Sequence, residues 1–262
     1  MLFEPLAADV YLPTARARGP WDPAALHGGP VAALLARAVE DADGGLNVAR
    51  LTFEILRPVP VAPLRVTSAV RRPGRKVQVR TASITTVDGD VEVSRVTALL
   101  IRAAEIDVDG LGDEHRLSAV PVPSLPNART RLDFDQPWEA FHNEGVEMRF
   151  TSGLFHVPGP VTVWMRLCQP VVGEEVPTPL QRVAAVADFG NGVSSVLPWT
   201  DYLFINPDLA VHLARPPRGE WVCLEARSLL SPEDGMGMAE SALYDEHGRI
   251  GRSIQSLLVD RR

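Results

Sequence analysis

One arrangement of residues occurs twice along this chain, and the duplication constrains the fold more than any single motif. Residues 49–58, 64–71, 76–87 and 92–102 are rich in Val, Thr and Ile with turn residues between them. That pattern predicts an antiparallel meander with a hairpin at Asp88-Gly89. Ahead of it, residues 30–42 supply Ala, Leu and Arg behind Gly28-Gly29, and Pro30 suits a first helical turn, so a helix is expected there. The second half repeats the order: a segment over 188–197, then strands beginning at Tyr202, Glu220, Gly237 and Ile250, with a turn at Glu246-His247-Gly248. Leu56-Arg57-Pro58 aligns with Ala214-Arg215-Pro216 at an offset of 158, while Gly89 with Gly248 and Ser94 with Ser253 align at 159. One inserted residue reconciles these anchors. Residues 103–136 between the copies are rich in Pro, Asp and Gly and carry no sustained period, as a surface linker would. The expected organisation is a first repeat over 1–102, a linker over 103–136 and a second repeat over 137–262. A helix across one sheet covers only one of its faces, so two such units can pair and bury more surface.

The length of 262 residues fits this division, since roughly 100 to 150 residues commonly suffice for a core. A composition 45% hydrophobic and 23% charged reads as an ordinary soluble globular chain. The formal charge of -7 argues against a nucleic-acid partner, the basic group Arg71, Arg72, Arg75 and Lys76 notwithstanding. Cys168 and Cys223 are too few for a disulfide framework and lack zinc-site spacing, which points to a reducing, cytoplasmic setting. Residues 1–9 carry no secretory pattern, and no apolar run approaches the roughly 18 residues of a membrane span. His115, His142, His156 and His247 are scattered without a metal-binding spacing, so neither metal nor cofactor is expected.

Four segments in order resemble the acyl-CoA thioesterase II family. They are His27-Gly28-Gly29 before the first helix, Leu56-Arg57-Pro58 ending a strand, Val163-Trp164-Met165-Arg166 opening the second copy, and Ser253-Ile254-Gln255 near the carboxyl end. The resemblance runs from about Trp21 to the end and is weakest in the linker. It implies an α+β double hotdog, two antiparallel sheets each wrapping a central helix. It also implies acyl-CoA as the substrate, hydrolysis by direct attack of water, and a homo-oligomer. In that family an acid, a hydroxyl residue and a glutamine of the second copy hold the water; Asp188, Asn206 and Gln255 match these positions. Asn206 departs from the hydroxyl, and His27 stands where the family more often has an aromatic residue.

Thioester hydrolysis needs a held water, a group to orient or deprotonate it, and donors aimed at the developing oxyanion. Backbone N–H groups at His27-Gly28-Gly29, where a helix begins, could supply the donors. At an offset of 159, Gln255 faces Val96 and Asp188 faces Gly29, so polar groups appear in the second copy only; Asn206 faces Asn47, which discriminates nothing. Each residue also has a plainer reading. Asp188 could cap a following helix, worth about 1 kcal/mol, Gln255 could point to solvent, Asn206 before Pro207 could cap a turn, and His27 could pack or cap.

A serine esterase would need Gly-x-Ser-x-Gly, which is absent. Gly235-Met236-Gly237 lacks the nucleotide-loop pattern and reads as a strand bulge. For an enoyl-CoA hydratase, Asp201 lies too early and His212 too late around Asn206-Pro207. A non-catalytic acyl-CoA-binding protein is the main alternative, since a scaffold does not dictate its activity.

Overall fold

The computed structural model describes residues 1–40, 45–130 and 137–262. A short hairpin of β1 (Phe3–Pro5) and β2 (Val10–Pro13) precedes helix α1 (Gly28–Val39), followed by β3 (Leu46–Ile55), β4 (Leu64–Arg72), β5 (Val77–Thr86) and β6 (Glu92–Arg102). Further along the chain come β7 (Val146–Leu154), β8 (Val157–Leu167), α2 (Pro179–Ala187), α3 (Gly190–Val193), β9 (Tyr202–Ile205), β10 (Asp208–Leu213), β11 (Val222–Ser231), β12 (Met236–Asp245) and β13 (Gly248–Arg261).

Neighbouring strands run β1-β2-β4-β5-β6-β3-β10-β13-β12-β11-β8-β7, with β9 alongside β13. The order is the same unit read from either end, centred on β3 and β10. These two strands pair antiparallel from Asp208 opposite Glu54 to His212 opposite Arg50. The half-sheets thus join edge to edge, and the pairing closes an edge that each repeat alone would leave open. This is the expected α+β double hotdog. Its strands show why the sequence folds this way: in β6 Ser94, Val96, Ala98 and Leu100 point inward and are buried, and in β13 Ser253, Gln255 and Leu257 do so, following the two-residue alternation of a pleated strand.

Helix α1 is apolar nearly all round, with Gly29 to Ala36 and Val39 buried, as befits a helix at the centre of a fold. It lies against α2. A Cβ on Gly29 would come within 2.6 Å of the Ala185 carbonyl oxygen, so the close approach of the two helices requires glycine there. The second helix does not lie over 188–197. It starts earlier, where Thr178 caps it by accepting from the Gln181 N–H at 3.2 Å and Pro179 fills the first turn. The caps His27 and Thr178 are 151 residues apart, so the offset of 158 to 159 holds through the strands and fails at the helices. The connection from helix to strand is longer in the second copy. The expected end of α1, at 41–42, lies outside the described residues. Gly235 sits in the turn between β11 and β12 with φ of 64°, which replaces the expected bulge.

The segment after β6, residues 103–130, is irregular apart from single turns at Asp113–His115 and Leu117–Ala119; residues 131–136 of the expected linker lie outside the described residues. Its Val120 and Leu125 cover a second cluster of Trp164, Trp221, Cys223 and Tyr244, and Ser124 accepts from the Trp164 indole at 3.1 Å. Among the described residues no helix is long and apolar enough to cross a membrane.

Glu40, just past α1, accepts from the Thr178 hydroxyl at 2.7 Å and the Gln181 amide at 3.2 Å, binding one helix end to the start of the other. Burial raises the Glu40 carboxyl above the usual range against these hydrogen bonds. A raised acid binds more protons folded than unfolded, so stability falls as pH climbs from the ordinary glutamate value through the raised one. Glu40→Gln is expected to flatten that part of a melting-temperature profile; an unchanged slope would contradict the assignment.

Candidate active site

The site forms where the amino terminus of α1 meets the junction of α2 and α3. Asp188 is not the cap of a following helix. Its backbone is helical, with φ of -70° and ψ of -16°, and it follows α2 directly. Its side chain is buried and lies beside the start of α1. A carboxylate is disfavoured at a helix carboxyl end and favoured at an amino end, so α1 supplies what α2 does not. Gly28 makes the approach possible: a Cβ there would sit 2.7 Å from both carboxylate oxygens.

Three side chains hold the carboxylate. Asn206, at the bend between β9 and β10, donates from Nδ2 to Asp188 Oδ1 at 2.9 Å and to the Asp208 carbonyl at 3.1 Å. Gln255 donates from Nε2 to the Asp188 carbonyl at 3.0 Å, and lies 3.5 Å from Oδ1. His27 Nδ1 stands 2.9 Å from Oδ2. Gln255 is 1% exposed, which removes the solvated reading; its Oε1 accepts from the Asn191 N–H at 3.0 Å, so the buried amide is paired at both ends. Asn206 does form a turn contact, as the plainer reading had it, and contacts Asp188 as well. His27 caps α1, with the Gly29 N–H 3.0 Å from Nδ1.

The structure therefore gathers His27, Gly28, Gly29, Asp188, Asn206 and Gln255 at one place, drawing on both repeats. Asp201 and His212 are exposed and make no contact with this group. Sequence reasoning missed Asn191, which donates to the Phe204 carbonyl at 3.3 Å and is 3.5 Å from Asn206 Oδ1. It also missed the aromatic cradle of His27, formed by Phe189 and Phe141 at ring separations of 4.7 and 5.2 Å. Phe141 lies on a single wide helical turn, Phe141–Gly145, with no periodic signal, while Asn191 follows Asp188 by three residues, a helical spacing that could have flagged it. The neighbouring His142 is held neutral, its pKa pushed down to about 3 by burial and then by the proximity of His27.

The fold and this arrangement define a double-hotdog protein with a buried carboxylate at its centre. The acyl-CoA thioesterase N-terminal domain matches residues 17–103 and the acyl-CoA thioesterase C-terminal domain matches residues 120–259. The chain belongs to the acyl-CoA thioesterase family. Among solved structures it is similar to a conserved protein of unknown function with a hot dog fold from Alicyclobacillus acidocaldarius, with TM-score 0.71, 17% identity, and 98% of this chain and 95% of that one covered. It is also similar to the acyl-CoA thioesterase II TesB2 of Mycobacterium marinum, with TM-score 0.65, 16% identity, and 99% and 95% covered. At these identities the structural likeness speaks for the fold alone. A search among curated proteins finds no match.

Proposed function

We propose that this protein hydrolyses an acyl-CoA thioester to the free acid and CoA by direct attack of water. The observation that carries the reading is the buried Asp188 carboxylate, held by Asn206, Gln255 and His27 against the amino terminus of α1. A negative charge fixed on several sides keeps its position without reorganising during reaction, which is how an enzyme site makes electrostatics effective. Asp188 and Gln255 position the water, Asp188 supplies the charge that drives its activation, and Asn206 assists by fixing the carboxylate. The first N–H group of α1, at Gly28, stabilises the oxyanion, the Gly29 N–H being taken up by His27 Nδ1. The free cysteines offer no nucleophile: Cys223 is buried, and burial raises both its thiol and that of Cys168 away from the thiolate.

The test is release of free CoA thiol from short, medium, long and aromatic acyl-CoAs, with Gly28→Ala run alongside. The wild-type chain is expected to release thiol from at least one class. Gly28→Ala should lower kcat about 100-fold, because the new Cβ displaces the carboxylate, and misplacements of about 1 Å cost on that order. Retention of acyl-CoA without thiol release would instead identify a binding protein.

A further inference from the structure

We infer that the outer face of the joined sheet carries a second binding site, a groove that takes an alkyl chain ending in an anionic head. The inference does not rest on the hydrolase reading, and its test reads binding alone.

The strand register places the charge. Arg50 of β3 lies directly opposite His212 of β10, and His212 lies directly opposite Arg252 of β13. Side chains so opposed on one face of a sheet stand about 5 Å apart. The row belongs to the outer face, because Ser253 and Gln255 of β13 are buried inward and alternation turns Arg252 the other way. Arg249, near the start of β13, joins these three along a groove of about 520 Å³, within the range of small-molecule sites.

Two permanent cations flanking His212 repel, and like charges placed this way weaken a sheet unless an anion offsets them. Among the described residues Arg50, Arg249 and Arg252 form no ion pair. The acids around the groove are engaged elsewhere. Glu225 and Glu240 border the adjoining depression that shares Arg249 and Arg252, but Glu240 pairs with Arg227 and Glu225 accepts from the Tyr244 hydroxyl at 3.1 Å. Asp113, on the segment that brings Leu117 to the groove, pairs with Arg116 at 3.6 Å.

Arg50 shows how the charge is presented. Its Nε is sealed from solvent without a hydrogen-bond partner, whereas its terminal nitrogens, equally unbonded, are not sealed. The guanidinium is therefore half sunk, with its outer edge open to the groove. A cation so placed is less well hydrated than one on the open surface, and it attracts an anion more strongly. The planar group matches a carboxylate or phosphate head. The rest of the wall selects a tail: Leu99, Ile101, Leu117 and Leu213 line the groove, and Ile101 is 44% exposed. An inorganic ion would leave these side chains uncovered, while an alkyl chain covers them at about fourfold in affinity per buried methylene.

Phenylglyoxal modification of Arg249 and Arg252 in the full chain, read by peptide mass mapping, reports on this groove alone. Decanoate and decyl phosphate should shield both arginines and leave the exposed Arg75 as reactive as before; whichever shields at the lower concentration identifies the head. Acetate should need about 100-fold more, for want of roughly three buried methylenes. Decanol, which has the tail without the charge, should need about tenfold more. In Arg50→Met the half-shielding concentration of decanoate should rise about tenfold. Acetate shielding as well as decanoate would mean an adventitious anion only. That result overturns the site, as do equal shielding by decanol, arginines left reactive at saturating decanoate and decyl phosphate, or an unchanged response in folded Arg50→Met.

Discussion

Asp188→Asn is expected to remove nearly all thiol release while leaving the chain folded. The substitution keeps the volume of a buried side chain that is 6% exposed and keeps an oxygen to accept from the Asn206 amide. It removes, however, the negative charge that positions and activates the water. Loss of a positioned group that activates the water costs about 100- to 10,000-fold in rate. The loss should fall on kcat, because Asp188 contributes to the transition state more than to acyl-CoA binding. Thermal unfolding and thiol release measured together decide the matter. A folded variant with more than a tenth of the wild-type rate would remove Asp188 from the chemistry altogether.

The strands of the two meanders were legible because their two-residue alternation is local and their offset of 158 to 159 is nearly constant, whereas β7 and β8, ahead of α2, were not among the expected strands. For the same reason Gln255 could be matched to Val96 of the first copy, and the structure, which puts both on inner faces, decides against the solvent-facing alternative. The helix of the second copy was not legible by that route. Its start at Thr178-Pro179 is a strong local signal, but the longer connection to β9 breaks the offset just where it was being applied. Asp188 was therefore paired with Gly29 for a reason the structure does not support, although the family resemblance pointed to the same residue. The hairpin of β1 and β2 went unforeseen, since strands of three and four residues are too short to show a period. The contact between His27 and Asp188 joins residues from different repeats, separated by most of the chain. No local pattern encodes such a contact; it follows from α1 and α2 packing side by side.

Arg215→Ala is expected to cause the largest loss of stability of any single change considered. Arg215 stood out in the sequence only as an alignment anchor, yet its guanidinium grips Asp245 with both terminal nitrogens, one at 2.6 Å, and reaches the Gly248 carbonyl at 3.0 Å. Asp245 is completely buried and also accepts from the backbone N–H groups of Arg218 and His247 at 2.9 and 2.8 Å. Burial pushes the Asp245 carboxyl up, but Arg215 and the two N–H donors outweigh it and hold it below the ordinary range. Removing the arginine leaves that charge without its partner, which costs about 3–5 kcal/mol and corresponds to a fall in Tm of roughly 10 °C for a chain of this size. The exposed pair of Arg95 and Glu54 is the control, since Arg95→Ala should shift stability by less than about 1 kcal/mol. The pH dependence has a definite sign. A depressed carboxyl stabilises the fold above its unfolded pKa, and that contribution disappears as pH falls through the folded value. Wild-type Tm should therefore drop on acidification below about pH 4, the ordinary aspartate range, and Arg215→Ala should drop less. Equal acid sensitivity in the two proteins, or a Tm loss no larger than that of Arg95→Ala, would show that the Arg215–Asp245 clamp is not what secures the turn between β12 and β13.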